Sequence, residues 1–239
     1  MSEAKVKRFY ATAKAGETEG GFAVQLDGRI VRTPAKRQLV APTRALAEAI
    51  AAEWAAQGET IAPASMPLTR LAHSALDGVA EALEATIAEI TAYAGSDLVC
   101  YRATEPEALA ARQAAAFDPA LAFAERTLGA RFSLAGGIMH VAQPEESLAA
   151  VRAAIPREPF AVTALQGLTS LSGSALLALA VARGAMTVEA AWAAAHVDED
   201  FQSERWGADE EAMRRREGRW RDFAAAARAL EALGTKLRD

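Results

Sequence analysis

Two hydrophobic periodicities divide this chain. Up to Pro42 the apolar positions of the strand-like segments alternate. Val24 and Leu26 flank polar neighbours, and Ile30 and Val31 follow an Asp27-Gly28 pair. Asp-Gly tolerates the positive φ angles of a two-residue turn, so residues 21–34 predict a hairpin that Pro34 ends. Phe9–Thr12 predicts a short first strand, and Gln38–Ala41 another. Beyond Pro42 the period becomes helical. Leu46, Ile50 and Trp54, four apart, share one helix face, and Gly58 stops that helix. Ser65, Met66 and Pro67 form a start signal. Leu68, Leu71, Ala75, Val79, Leu83, Ile87 and Ile90 then predict one long amphipathic helix.

Further helices follow. Thr104-Glu-Pro-Glu107 has the capping-box pattern. Asp118-Pro119 predicts another helix start, with an end near Gly129. Residues 131–143 lack a helical period and read as a loop with some extended structure. Helices are expected to resume near Glu145, Phe160, Ser174, Val188 and Asp209, with breaks at Gly184 and Gly207. The strands cluster at one end and do not alternate with helices. That predicts an α+β fold: a small β-rich N-terminal domain with one helix (residues 1–62), then a larger all-α helical domain (residues 63–239).

Composition narrows the classes of function. Alanine supplies 61 of the 239 residues, which favours helix over sheet. Lysine and arginine total 26 against 31 aspartates and glutamates, so no global basic field draws the chain to nucleic acid. The Arg214–Arg216, Arg219 and Arg221 cluster shares its helix with Asp209, Glu210, Glu211, Glu217 and Asp222, the pattern of a solvated, ion-paired face. A single cysteine, Cys100, excludes a disulfide framework. No apolar run approaches a membrane span, and no apolar signal core follows Met1–Arg8, so a cytoplasmic protein is expected. His73, His140 and His196 show no metal-ligand spacing. Leu171–Ala175 lacks the pattern of a nucleophilic serine turn, and no phosphate-binding glycine loop is present. No catalytic residue, cofactor or metal site is predicted.

Two segments stand out. If the helix beginning at Val188 is unbroken, then Val188, Ala191, Trp192, Ala195, Glu199, Gln202 and Trp206 lie on one face, with Asp198 beside it. Carboxylates on an otherwise apolar stripe are costly to bury alone. Either an arginine pairs with them inside the fold, or they face a groove that awaits a partner. The second segment, Gly95–Ala103, mixes apolar groups with Asp97, Tyr101 and Arg102. It suits an interface hot spot or the closing of a helix end.

Asp97-Leu-Val-Cys-Tyr-Arg-Ala103 and Asp198-Glu-Asp-Phe-Gln-Ser-Glu-Arg-Trp-Gly207 resemble segments of the Atp-twelve family, assembly chaperones for the alpha subunit of the catalytic head of F-type ATP synthase. Glu53-Trp54, Gln57, Met66–Leu71, Asp77, Phe117-Asp118-Pro119 and Leu168–Ser174 agree with it in order; position 117 is Phe where the family has Trp. The resemblance implies a non-enzymatic binder of the free alpha subunit that shields the surface later given to beta. It also implies a β-rich N-terminal and a helical C-terminal domain. Relatives are mitochondrial or alphaproteobacterial, and the bacterial cytoplasm is expected here. A functionally important glutamate in the family's C-terminal helices implies Glu199, with Glu204 second. Asp97, Tyr101, Arg102, Asp198, Gln202 and Trp206 are the further expected partner contacts. A monomer is expected, since a self-interface would compete with the client, and neither nucleic acid nor membrane insertion is. The competing readings are a small-molecule enzyme with an acidic pocket around Asp198, Glu199 and Glu204, and a generic helical interaction module.

Overall fold

The first strand lies upstream of its expected place. In the computed structural model, which describes residues 6–137, 139–207 and 209–234, Val6–Lys7 (β1) is strand and Phe9–Thr12 is not. The Arg8 guanidinium holds that irregular stretch by donating to the carbonyls of Tyr10 (3.0 Å) and Ala11 (3.0 Å). Ala13–Thr18 (β2) pairs antiparallel with Gly21–Leu26 (β3), which also pairs with Arg29–Ile30 (β4) and Val40–Ala41 (β5). The predicted hairpin turn forms, with Asp27 at φ 48° and Gly28 at φ 82°. The Asp27 carboxylate accepts the backbone N–H groups of Ala11 and Thr12 and the Thr12 hydroxyl. Those bonds, led by the Thr12 N–H, hold its carboxyl below the usual range.

Arg44–Ala55 (α1) follows, capped by Thr43, with Leu46 and Ile50 fully buried and Trp54 half-buried. Thr60–Ile61 (β6) pairs back to β1. The expected single helix over residues 65–90 is broken. Pro67–Ser74 (α2) passes into a wide π turn over Ala75–Val79 and stops, and Leu83–Gly95 (α3) starts afresh after Ala82 at φ −118°, ψ 30°. Gly78, a weak helix former, sits at the break. Asp77 is turned toward the N-terminal loop, where it accepts from Thr33 Oγ1 (2.6 Å) and Ala35 N (3.0 Å). Apolar spacing alone did not show this tertiary tie.

α2 has no capping side chain of its own at Met66. Glu53 on α1 takes that place, accepting Leu68 N at 2.7 Å and both Thr69 N and Thr69 Oγ1 at 2.8 Å. Burial pushes its carboxyl pKa up, and those three donors pull it back. Glu53→Gln turns an N–H toward donors that need an acceptor. It should cost about 1–2 kcal/mol, which thermal unfolding would show as a fall in Tm of roughly 3–6 °C; an unchanged Tm would mean that water replaces the lost bonds.

Leu98–Cys100 is a 3₁₀ turn, and Tyr101–Arg102 (β7) pairs in parallel with Ala135–Gly136 (β8). Glu107–Phe123 (α4) is one helix. Its start carries no capping box, because Pro106 occupies the cap position and Thr104 makes no capping bond. Pro119 does not start a second helix but lies inside α4, where the buried Phe117 and Ala120 fix the helix to the core. Gly129, at φ 68°, ends it after a π turn. Glu145–Ala154 (α5), Pro159–Ser172 (α6), Ala175–Ala182 (α7), Val188–Ala195 (α8), Val197–Trp206 (α9) and Glu210–Ala232 (α10) complete the described chain. α7 is apolar all round and buried almost throughout, as a central helix must be. One contiguous core runs from Tyr10 to Leu230. The fold is thus α+β, with a small β region followed by helices. No described helix is long and apolar enough to cross a membrane.

Candidate protein-interaction face

His196 breaks the expected stripe. It sits at φ −120°, ψ 15° between α8 and α9, so Val188 to Trp206 is two helices and the carboxylates do not continue the apolar face of Trp192. The imidazole explains the break locally. Its Nδ1 lies 2.8 Å from the Trp192 carbonyl, and its ring lies 3.9 Å from the indole. Burial pushes the His196 pKa down, so the neutral ring is the form that packs here. Trp192 turns inward against Trp220 and Phe223. On α9 only Phe201 is buried.

The acidic residues of α9 then separate by role. Asp198 accepts from Gln113 Nε2 on α4 at 2.7 Å, and Gln113 Oε1 accepts Ala103 N at 2.6 Å, which ties α9 to α4 and to the end of β7. Asp200 takes a two-pronged ion pair from Arg216 on α10, one contact at 3.0 Å. Glu204 pairs with Arg112 on α4 at 2.7 Å. The Arg112 and Arg205 guanidiniums lie 5.2 and 4.3 Å from the centre of the Phe201 ring. Glu199 is exposed, and among the described residues no cation lies within ion-pair distance of it. The two alternatives therefore divide by residue: an arginine pairs with Asp200, a glutamine holds Asp198, and neither reaches Glu199. Asp198 and Asp200 are internal ties, and Glu199 is left facing outward. The carboxylates of Asp198, Glu199 and Glu204 do not converge on one pocket, because two of them are drawn to different partners on α4.

Glu199 faces a groove of about 500 Å³ between α9 and the start of α10, lined also by Gln202, Trp206, Met213, Arg215 and Arg219. Trp206 is 86% exposed and Met213 about half exposed. Gly207, at φ 87°, ends α9, and Asp209 caps α10 by accepting Glu211 N at 3.0 Å. Arg214 and Arg215 pair with Glu210 and Glu211 one turn back, so that stretch of α10 is the ion-paired face expected of it. Charge patterning missed that the same helix also walls the groove. There Met213 and Arg219 join the groove, and an exposed methionine inside a charged run was the available signal. An aromatic wall, an unpaired carboxylate and flanking guanidiniums can receive an apolar side chain together with a cationic donor.

The segment around Asp97 behaves differently. Asp97 is 0% exposed, and this burial corrects its expected place among the partner contacts. It accepts Val99 N at 3.2 Å and Leu176 N at 3.0 Å, joining the 3₁₀ turn to the start of α7. Burial pushes its pKa up to about 6 despite those donors. Arg102 is directed to Asp118 (2.7 Å) and over the Phe117 ring, not to Glu199. Tyr101, half-buried, has its hydroxyl 3.2 Å from His140 Nδ1. The structure therefore brings together Glu199, Gln202 and Trp206, and leaves Tyr101, Arg102 and Glu204 outside their groove. Cys100 is buried with its thiol pushed up to about 12, which leaves it un-ionised at neutral pH.

The family model described as ATP12 chaperone protein matches residues 7–125. Among solved structures, the chain is similar to a chaperone candidate from Agrobacterium tumefaciens, with 49% identity and a TM-score of 0.92, over 95% of this chain and 86% of that one. It is similar to Atp12 from Paracoccus denitrificans at 42% identity and a TM-score of 0.89, over 95% and 98% of the two chains. An aspartate-to-lysine variant of the Paracoccus protein matches at 41% identity and a TM-score of 0.89, over 96% and 99%.

Proposed function

The chain belongs to the ATP12 chaperone family, and on that footing we propose that it is an ATP-independent assembly chaperone for the alpha subunit of the F-type ATP synthase catalytic head. It binds free alpha and covers the face that alpha later gives to beta. The observation that carries this reading is the groove between α9 and α10, where an 86%-exposed tryptophan stands beside the unpaired Glu199. Solvated aromatics next to a free carboxylate are unfavourable for a protein acting alone and useful for one that binds a partner. An apolar face exposed on free alpha would aggregate, and a binder that covers it reversibly prevents that.

Release requires no chemistry. Beta must bind the same face more favourably, so mass action displaces the chaperone. Charged groups at such a contact give specificity and speed of association without excessive affinity. The test is co-purification with the cognate alpha subunit, with and without added beta. A one-to-one complex that beta dissolves is expected. Failure to bind alpha that is itself competent for assembly would overturn the reading.

A further inference from the structure

We infer that the N-terminal β region carries a second binding site, separate from the α9–α10 groove, for an acidic extended protein segment bearing an apolar side chain. Three observations converge on it. The first is charge. Residues 6–41 hold seven lysines and arginines against three carboxylates, although the whole chain is net negative at −5. Few of those cations are neutralised: Arg37 pairs with Glu81, but among the described residues Lys7, Lys14, Arg29 and Lys36 have no ion pair. Two of the three carboxylates are engaged, Glu17 with Arg44 and Asp27 with Ala11 and Thr12. The region therefore presents a positive surface on an acidic protein.

The second observation is a pocket of about 470 Å³ within that surface. Tyr10, Leu26, Val31 and Trp54 line its apolar part with Phe9, and Arg29, Arg32 and the Asp27 carboxylate, itself engaged by Ala11 and Thr12, form its polar part. Phe9 is 70% exposed and meets Tyr10 edge-on at 5.4 Å, and Tyr10 meets Trp54 in the same manner at 5.8 Å. Three of the fifteen aromatic residues in the chain thus gather at one pocket beside an unpaired arginine. The aromatic part suits an apolar side chain, and Arg29 suits a carboxylate next to it.

The third is backbone. Among the described residues β4 pairs only with β3, and Val31 N donates to Val24 O. In an antiparallel ladder the intervening Ile30 then points its N–H and C=O away from β3. An extended segment lying beside β4 can use those groups while its side chains reach the pocket and Arg29.

The test uses the full chain and a fluorescein-labelled peptide, Glu-Asp-Glu-Leu-Phe-Glu-Asp-Glu, followed by fluorescence anisotropy. Saturable binding is expected, weakened at least tenfold by Arg29→Glu and by Phe9→Ser, and weakened again when salt is raised. Both residues are exposed, so thermal melts should match the parent. Glu199→Lys should leave peptide binding unchanged, which separates this site from the alpha-subunit reading. The inference is overturned if no binding is seen to 1 mM, if a peptide with lysine at every acidic position binds equally, if Arg29→Glu and Phe9→Ser bind as the parent does, or if Glu199→Lys abolishes binding.

Discussion

Asp97→Ala is expected to destabilise the protein by about 2–3 kcal/mol at neutral pH, and by more at pH 4.5. Two effects oppose each other. Removing the carboxylate relieves the cost of a buried charge, which a rise in pKa to about 6 places near 3 kcal/mol as an order of magnitude. It also leaves Val99 N and Leu176 N without their acceptor, together with the donors at Ser174 and Ala175. Each buried orphan costs about 1–3 kcal/mol, so the loss of acceptors wins. The pH dependence has a definite sign. Asp97 has a folded pKa raised above its unfolded value of 3.8. Between those values the folded state holds a proton that the unfolded state has released, so this group's contribution is largest below about 4 and falls as pH rises to about 6. The alanine variant lacks that slope, and its deficit against the parent should shrink from pH 4.5 to pH 7.5. Denaturant titrations at the two pH values would measure it, with a fall in Tm near 5–10 °C at neutral pH for a chain of this size. A deficit that grows with pH would show that Asp97 is held ionised.

The family-like segments were legible in the sequence, but their roles were not. Glu53, Gln57 and Asp77 belong to the family-like pattern, and each is a joint between elements. Glu53 caps α2 from α1, Asp77 holds the Thr33–Ala35 loop, and Gln57 Oε1 accepts Ala62 N at 2.8 Å while its Nε2 donates to Glu53 O at 3.0 Å. Asp97 is a joint of the same kind. A buried carboxylate that accepts backbone N–H groups and a surface carboxylate that meets a partner look alike in a sequence, because the donors lie far away along the chain. Asp97 and Leu176 are 79 positions apart.

Element type was easier to read than continuity. Strong local signals survived: the Asp27-Gly28 turn, the helix start at Ser174, and the glycine stops at 129, 184 and 207. Apolar period misled wherever a helix broke without a change in the pattern, at Ala80–Ala82, next to the tertiary tie of Asp77, and at His196, where the imidazole turns back on Trp192. β2 escaped notice because Ala-Lys-Ala-Gly-Glu-Thr carries no large apolar side chain. It is a strand because β3 offers it a ladder. Around the α9–α10 groove the break at His196 mattered most, since it detached α9 from the buried face of α8 and left its carboxylates with separate fates.

Those separate fates make Glu199→Lys a discriminating variant. The side chain is exposed and unpaired, so its replacement should change folding stability by no more than about 0.5 kcal/mol. Its effect on the client should be much larger. The substitution places a cation in a groove already lined by Arg215, Arg216 and Arg219, of which Arg216 is held in its pair with Asp200. A guanidinium or ammonium on alpha that met Glu199 would then meet like charge. Loss of a desolvated charge pair costs about 2–5 kcal/mol, so affinity for alpha should fall by thirtyfold or more by titration calorimetry. Glu204→Lys is the informative companion. Glu204 is also an exposed α9 glutamate, but it points to Arg112 and lies outside the groove. Its replacement should weaken the tie between α9 and α4 and affect alpha binding less. Raising salt from 50 to 300 mM separates contact from steering, because screening removes long-range attraction but not a desolvated pair. A Glu199→Lys deficit that persists at high salt places Glu199 in the contact. A variant that folds and binds alpha as the parent does removes Glu199 from it.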